Sequence, residues 1–340
     1  MPDDAQTAAD LTAPDALGRD WVARTLPLAA DGEPETVATL VYRADPARTP
    51  LHESDRAALY LHGFVDYFFQ AEHAAEWTDR GYDFYALDLR RYGRSLRRGQ
   101  VPNYVTDLRT YDEEIDEALR IIRDEHGHEV VVLLGHSAGG LVAALWADRH
   151  PRTGRGATTS RVDALVLNSP WLDLQGSWFE RTIAIRLIDA LGPWLPLSIV
   201  GKLGSDYGRS LHVSTGGAWD YDLRWKPFAG FPVRAGWLRA IHRGHRAVAG
   251  GLEIDVPVLV CCSTASGPDD HWHEAITRTD SVLDVAQIAA RAPGLGADVT
   301  LVRIPDGIHD LALSPEPARS RYVDAVFAWT ARHVDGPGRG

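Results

Sequence analysis

Two hydrophobic rhythms alternate along the chain. Short apolar runs occur at Ala57-Ala58-Leu59-Tyr60-Leu61, at 82–89, at Val130-Val131-Val132-Leu133-Leu134, at 162–168, at 256–262 and at 298–304. They are short for helices and apolar at successive positions, which predicts strands buried on both faces of a sheet. Between them lie segments of helical period. The clearest is 105–126, where Leu108, Tyr111, Ile115, Leu119 and Ile122 share one face, acidic residues cover the other, and Gly127 closes the helix. Residues 68–80, 282–292 and 317–332 read as further helices, and 21–26 with 36–42 as an opening antiparallel hairpin. Strands alternating with helices predict a mostly parallel α/β sheet covered on both faces.

The interval 171–245 breaks the alternation. It holds six of the eleven Trp residues, from Trp171 to Trp237, but no clear buried strand. An aromatic layer that leaves the sheet and returns to it reads as a cap over the carboxyl ends of the strands. The expected plan is a poorly ordered tail over 1–18, a first core segment over 19–170, the cap over 171–245, a second core segment over 246–335 and a flexible end over 336–340.

Composition narrows the classes. The 340 residues are 45% hydrophobic and 24% charged, with a net charge of −12. That charge disfavours nucleic acid and anionic membranes as partners. No apolar run is long enough to span a bilayer, so stable membrane insertion is not expected. The acidic start, Met1-Pro2-Asp3-Asp4, lacks the pattern of a secretion signal, and Cys261 and Cys262 sit side by side in an apolar run as buried thiols. A cytoplasmic protein is expected, as a monomer or homodimer.

The chemistry centres on Gly135-His136-Ser137-Ala138-Gly139-Gly140, between the 130–134 run and the helical Leu141-Val142-Ala143-Ala144-Leu145-Trp146-Ala147. Strand, tight turn and helix push the Ser137 hydroxyl out of the backbone, and the glycines permit close crossing. A serine needs a base, and the base needs a carboxylate. In such strand–turn–helix serine sites the order along the chain is serine, acid, histidine. His309 lies in the loop after the last strand. Asp269, Asp270, Asp280 and Asp284 all follow the 256–262 strand, and Asp280 also reads as a helix cap. Backbone N–H groups of Ala138 and Phe64 are the expected oxyanion hole, with Gly63 permitting close approach. Candidate pocket residues are His62, Gly63, His136, Trp171 and Trp178. His271-Trp272-His273-Glu274 is an incomplete ligand set, so no metal is expected, nor any organic cofactor. Arg90, Arg91 and Arg94 read as ion-paired.

With these residues in place the chain resembles the α/β-hydrolase superfamily, and within it the branch of monoacylglycerol lipases, lysophospholipases and serine aminopeptidase-like proteins. The resemblance rests on His62-Gly63-Phe64-Val65-Asp66, on Asp88-Leu89-Arg90-Arg91-Tyr92-Gly93-Arg94-Ser95, on Gly135–Gly140 and on the Asp280 to Asp284 spacing before a helix. It implies an eight-stranded, mostly parallel sheet with the cap inserted after strand 6. It also selects Asp280 as the acid. Two departures stand out: Val65-Asp66-Tyr67 where the branch has Gly-Glu-His, and the insertion 263–279 between strand and acid, a candidate pocket wall. The implied activity is hydrolysis of hydrophobic carboxylic esters or lactones through an acyl-enzyme on Ser137. A peptidase, thioesterase or acyltransferase on the same triad is the alternative, and a slow small-ligand receptor on this fold is the reading from another class. Dehalogenase and epoxide-hydrolase chemistry is disfavoured, because those enzymes use Asp where this chain has Ser137.

Overall fold

Successive residues of the apolar runs point to opposite sides of one sheet, and both sides are covered. In β4 (Arg56–Leu61) Ala57, Leu59 and Leu61 join one core while Ala58 and Tyr60 join the other. β6 (Val130–His136) divides in the same way, Val131 and Leu133 against Val132 and Leu134. The computed structural model describes residues 11–32, 35–43, 54–152, 161–174 and 194–335.

The other strands of this sheet are β1 (Thr12–Asp15), β2 (Gly18–Pro27), β3 (Val37–Arg43), β5 (Asp83–Asp88), β7 (Ala164–Asn168), β10 (Val258–Ser263) and β11 (Val299–Ile304). Its order is β1-β2-β3-β5-β4-β6-β7-β10-β11, antiparallel through β3·β5 and parallel from β5 onward. Helices α2 (Asp112–Arg120), α3 (Ala138–Arg149), α5 (Ala235–Gly250) and α6 (Val285–Arg291) cover one face; α1 (Ala71–Thr78) and α7 (Ala318–His333) cover the other. Cys261 and Cys262 are buried free thiols in β10.

Four expectations change. Among the described residues the sheet has nine strands, not eight, because Thr12–Asp15, assigned to the tail, pairs antiparallel with β2 from Thr12↔Arg24. This edge strand is polar and half-exposed, held by backbone pairing and by the Asp15–Arg94 ion pair, so no hydrophobic pattern marks it. Counted with it, the interval expected as a cap follows the seventh described strand. The core resumes before 246: α5 crosses the expected boundary at 245, and Trp237, Leu238 and Ile241 pack in the same cluster as α3. The 105–126 segment is a 3-10 turn at Leu108–Tyr111, then α2, then a π turn at Ile121–Glu125.

Within the interval expected as a cap, β8 (Ile199–Gly201) pairs antiparallel with β9 (Val233–Arg234), and α4 (Asp206–Leu211) lies between them in the chain. A small aromatic cluster joins it to the body: Leu211 and Tyr221 pack with Tyr67, Phe69, Ile308 and Leu313. The expected tail residues 1–10, the cap stretch 175–193 with Trp178, and 336–340 lie outside the described residues.

Candidate active site

Ser137 caps α3 at φ 53°, ψ −119°, a strained conformation for a residue with a side chain. Its neighbours over-determine it. A Cβ on Gly135 would stand 2.7 Å from Gly140 Cα, one on Gly140 would stand 2.7 Å from Pro170 Cβ, and one on Gly139 would run into the carbonyl oxygen of His62. Strand, helix and the adjoining loop therefore cross as closely as backbone permits. The Ser137 N–H donates to Asn168 O at 3.1 Å, and the Ser137 carbonyl accepts from Trp171 N–H at 3.0 Å.

The loop after β4 runs beside this turn: a Cβ on Gly63 would lie 3.1 Å from Ser137 Cβ. Phe64 N–H has no acceptor among the described residues, and Ala138 N–H, first in α3, has none within its helix. The Phe64 ring stacks on Trp237 with centroids 3.9 Å apart. His62, expected in the pocket, does not line the cavity. It is buried behind Gly63, with Nδ1 donating to Gly63 O at 2.8 Å and Nε2 accepting from Leu89 N–H at 3.1 Å, so it braces the loop. Burial lowers its pKa, in keeping with this neutral tautomer.

His309 follows β11, and its Nδ1 lies 3.0 Å from Asp280 Oδ2. Asp280 is fully buried, and its Oδ1 accepts from Val282 N–H at 3.0 Å and Leu283 N–H at 2.8 Å. It is therefore both turn cap and histidine partner. The long insertion does not displace it, because the chain closes on itself: Asp280 N–H donates to Ala265 O at 2.9 Å and Gly267 N–H to Asp280 O at 2.8 Å. This brings Asp280 back to the end of β10. The other three carboxylates, Asp269, Asp270 and Asp284, all stand in the cavity wall, and Asp284 also caps α6 through Ala286 N–H.

That cavity, of about 790 Å³, is lined by Ser137, His309, Gly63, Phe64, His136 and Trp171, and by the insertion over 266–270. Phe228 and Trp237 add apolar surface. No hydrogen bond joins the Ser137 and His309 side chains among the described residues; such contacts commonly tighten when substrate binds.

Beneath His309 is a buried polar floor that the sequence did not reveal. Asp310 accepts from Asn168 Nδ2 at 2.7 Å and Gln70 Nε2 at 3.3 Å, and Asn168 Oδ1 accepts from Leu311 N–H at 3.1 Å. Asn168 thus ties the serine turn to the histidine loop; its only signal was a polar residue ending an apolar strand. Burial pushes the Asp310 carboxyl up, but the positive charge nearby, at His136 and Lys226 foremost, brings it below the usual range. The His136 ring is 4.9 Å from His309, and burial lowers its pKa. Asp66, His136 and Asp310 bring three potential ligand atoms within 4.8 Å of one another. Lys226 Nζ lies 2.5 Å from Asp66 Oδ1 and supplies the positive charge there. In the other candidate ligand set, His271 pairs with Asp270 and His273 with Ser281. Arg90, Arg91 and Arg94 pair with Glu114, Asp31 and Asp88.

Comparison with known proteins places the fold. The family model described as serine aminopeptidase, S33 (Hydrolase_4) matches residues 52–316. The chain belongs to that family of α/β-hydrolases. Among solved structures, a soluble variant of monoglyceride lipase from Saccharomyces cerevisiae, in complex with a substrate analog, superposes on this S33-family chain with a TM-score of 0.64, covering 91% of it and 95% of the lipase at 14% identity. At that identity the likeness is one of fold. Among curated relatives, 1-acylglycerol-3-phosphate O-acyltransferase ABHD5 of Sus scrofa is 32% identical over 133 residues, 37% of this chain and 34% of the relative. Monoacylglycerol lipase of Mycolicibacterium smegmatis is 24% identical over 151 residues, 44% of this chain and 50% of the relative. The matches thus span a third to a half of these relatives' length. Among the described residues no helix is long and apolar enough to cross a membrane.

Proposed function

We propose that the protein is a serine hydrolase of carboxylic esters with hydrophobic acyl groups, monoacylglycerol- or lysophospholipid-like esters or lactones among them. The observation that carries this reading is the buried Asp280–His309 pair opening into the cavity that Ser137 lines from its strained turn. Asp280 accepts the Nδ1 proton of His309, which leaves Nε2 free as a base. His309 takes the Ser137 proton as Oγ attacks the ester carbonyl, and the oxyanion accepts from Phe64 and Ala138 N–H. His309 then protonates the leaving alcohol. Water attacks the acyl-enzyme by the same steps in reverse roles, with no metal or organic cofactor required. The aromatic lining at Phe64, Trp171, Phe228 and Trp237 favours an apolar acyl chain.

Acyl transfer is the second reading, favoured by the acyltransferase name of the relatives at about a third identity. It differs only in the acceptor, an alcohol instead of water at the acyl-enzyme. A fluorophosphonate probe with mass-spectrometric mapping tests the common step: Ser137 is labelled, and labelling collapses in His309→Ala and Asp280→Asn. A p-nitrophenyl ester chain-length series then defines acyl preference, and product analysis with added glycerol separates transfer from hydrolysis. A folded protein that leaves Ser137 unlabelled and turns over no ester moves the ligand-receptor reading to the front.

A further inference from the structure

We infer that Tyr207, in the cap helix α4, is a positioning residue for His309, so that the seated cap sets the base as well as covering the cavity. The inference rests on the proposed role of His309. Tyr207 lines the cavity, and its hydroxyl accepts from Asp310 N–H at 2.9 Å. That N–H belongs to the peptide joining His309 to Asp310. The Tyr207 ring also meets the His309 ring edge to face, with centroids 5.7 Å apart and planes at 77°. His309 is therefore bounded by Asp280 at Nδ1, by His136 on one side and by a cap aromatic on another.

The contact belongs to a larger clamp. Ile308 and Leu313 flank the histidine loop and pack with Leu211 and Tyr221 of the cap. Trp219 Nε1 donates to Leu313 O at 3.0 Å. Side chains of the body hold Asp310 and Asn168, but the backbone N–H that follows the base is satisfied by the cap through Tyr207. Without that hydroxyl a buried donor has no acceptor, and the peptide is free to turn away and take the imidazole with it. A displaced base slows proton transfer without changing how the acyl chain is held.

The test compares Tyr207→Phe with Tyr221→Phe. Tyr221 OH donates to Gly208 O, so its loss removes one bond within the cap while the ring stays packed with Ile308 and Leu313 and the histidine loop keeps its bonds. Tyr207→Phe is expected to lower kcat about tenfold with KM changed less than about twofold. Tyr221→Phe is expected to leave both near wild type. The second readout is the low-field NMR signal of the His309 Nδ1 proton, which shifts in Tyr207→Phe and holds in Tyr221→Phe. A raised KM with unchanged kcat, an unmoved His309 signal, or equal effects of the two variants overturns the inference. If the wild type shows no turnover dependent on Ser137, it is the hydrolase reading that fails, and the NMR comparison still decides whether Tyr207 holds His309.

Discussion

Asp280→Asn separates geometry from charge at the candidate site. Asparagine fits the same space, and its Oδ1 can keep both backbone bonds, from Val282 and Leu283 N–H. Its amide nitrogen then faces His309 Nδ1, where Asp280 Oδ2 now stands at 3.0 Å. Two donors cannot share that bond, so Nδ1 must accept and the proton moves to Nε2. The imidazole then cannot take a proton from Ser137. Where a serine–histidine–aspartate triad has been forced into the wrong tautomer this way, kcat falls about 10⁴-fold, roughly 5.4 kcal/mol of transition-state stabilisation. The fold should lose only about 1 kcal/mol, since one charge-assisted bond becomes neutral. The assay is steady-state p-nitrophenyl butyrate hydrolysis, beside urea unfolding of each variant. Asp284→Asn is the control, because Asp284 borders the same cavity and caps α6 but makes no bond to His309. A folded Asp280→Asn protein within tenfold of wild type, or an Asp284→Asn protein that loses more, refutes the reasoning.

Three further outcomes are expected. Gly139→Ala drives a methyl into the carbonyl oxygen of His62 and to within 2.6 Å of Leu61 O, so urea unfolding should show about 2 kcal/mol or more of destabilisation. Ser137→Gly should abolish ester hydrolysis while raising unfolding stability by about 1 kcal/mol, because glycine relieves the strain at φ 53° and loses part of that gain to unfolded-chain entropy; a destabilised variant would show that the turn is not strained. Burial lowers the pKa of His245 to about 4, while its Nε2 bonds Trp171 O at 2.7 Å. Below about pH 6.5 the unfolded chain takes up a proton that the folded chain refuses, so stability falls as pH drops through that window, by about 2 kcal/mol from this group between pH 7 and 5. His245→Gln should flatten that limb of the urea-stability profile, and an unchanged slope contradicts the assignment.

Burial on both faces made β4, β6 and β10 legible, since a strand with two covered sides has no polar alternation to hide it. Ser137 was legible from its glycines, and His309 from its place after the last strand. β1 was not, because a polar edge strand is held by backbone bonds that any side chains allow. The carboxylate that pairs with His309 was not decided by local pattern: four aspartates follow β10, and only resemblance favoured Asp280, which the fold brings to His309 by returning the chain at Ala265 and Gly267. Asn168, Asp310, Lys226 and Tyr207 escaped notice because their roles depend on partners far off in sequence; Lys226 and Asp66 are 160 residues apart. Trp178 remains an expectation.

The return of the chain at Asp280 has a consequence for how such a protein can change over time. Residues 267–279 hang from the strand end like a side branch whose two feet are tied together, Ala265 and Gly267 to Asp280. Lengthening, trimming or replacing the branch alters Pro268, Asp269 and Asp270, which border the cavity, but not the span between strand and acid. Closing a longer branch costs little, since the entropy of closure grows only with the logarithm of length. The cavity border over 268–270 and the Asp280–His309 pair thus belong to separable pieces of chain, and one can drift while the other is conserved.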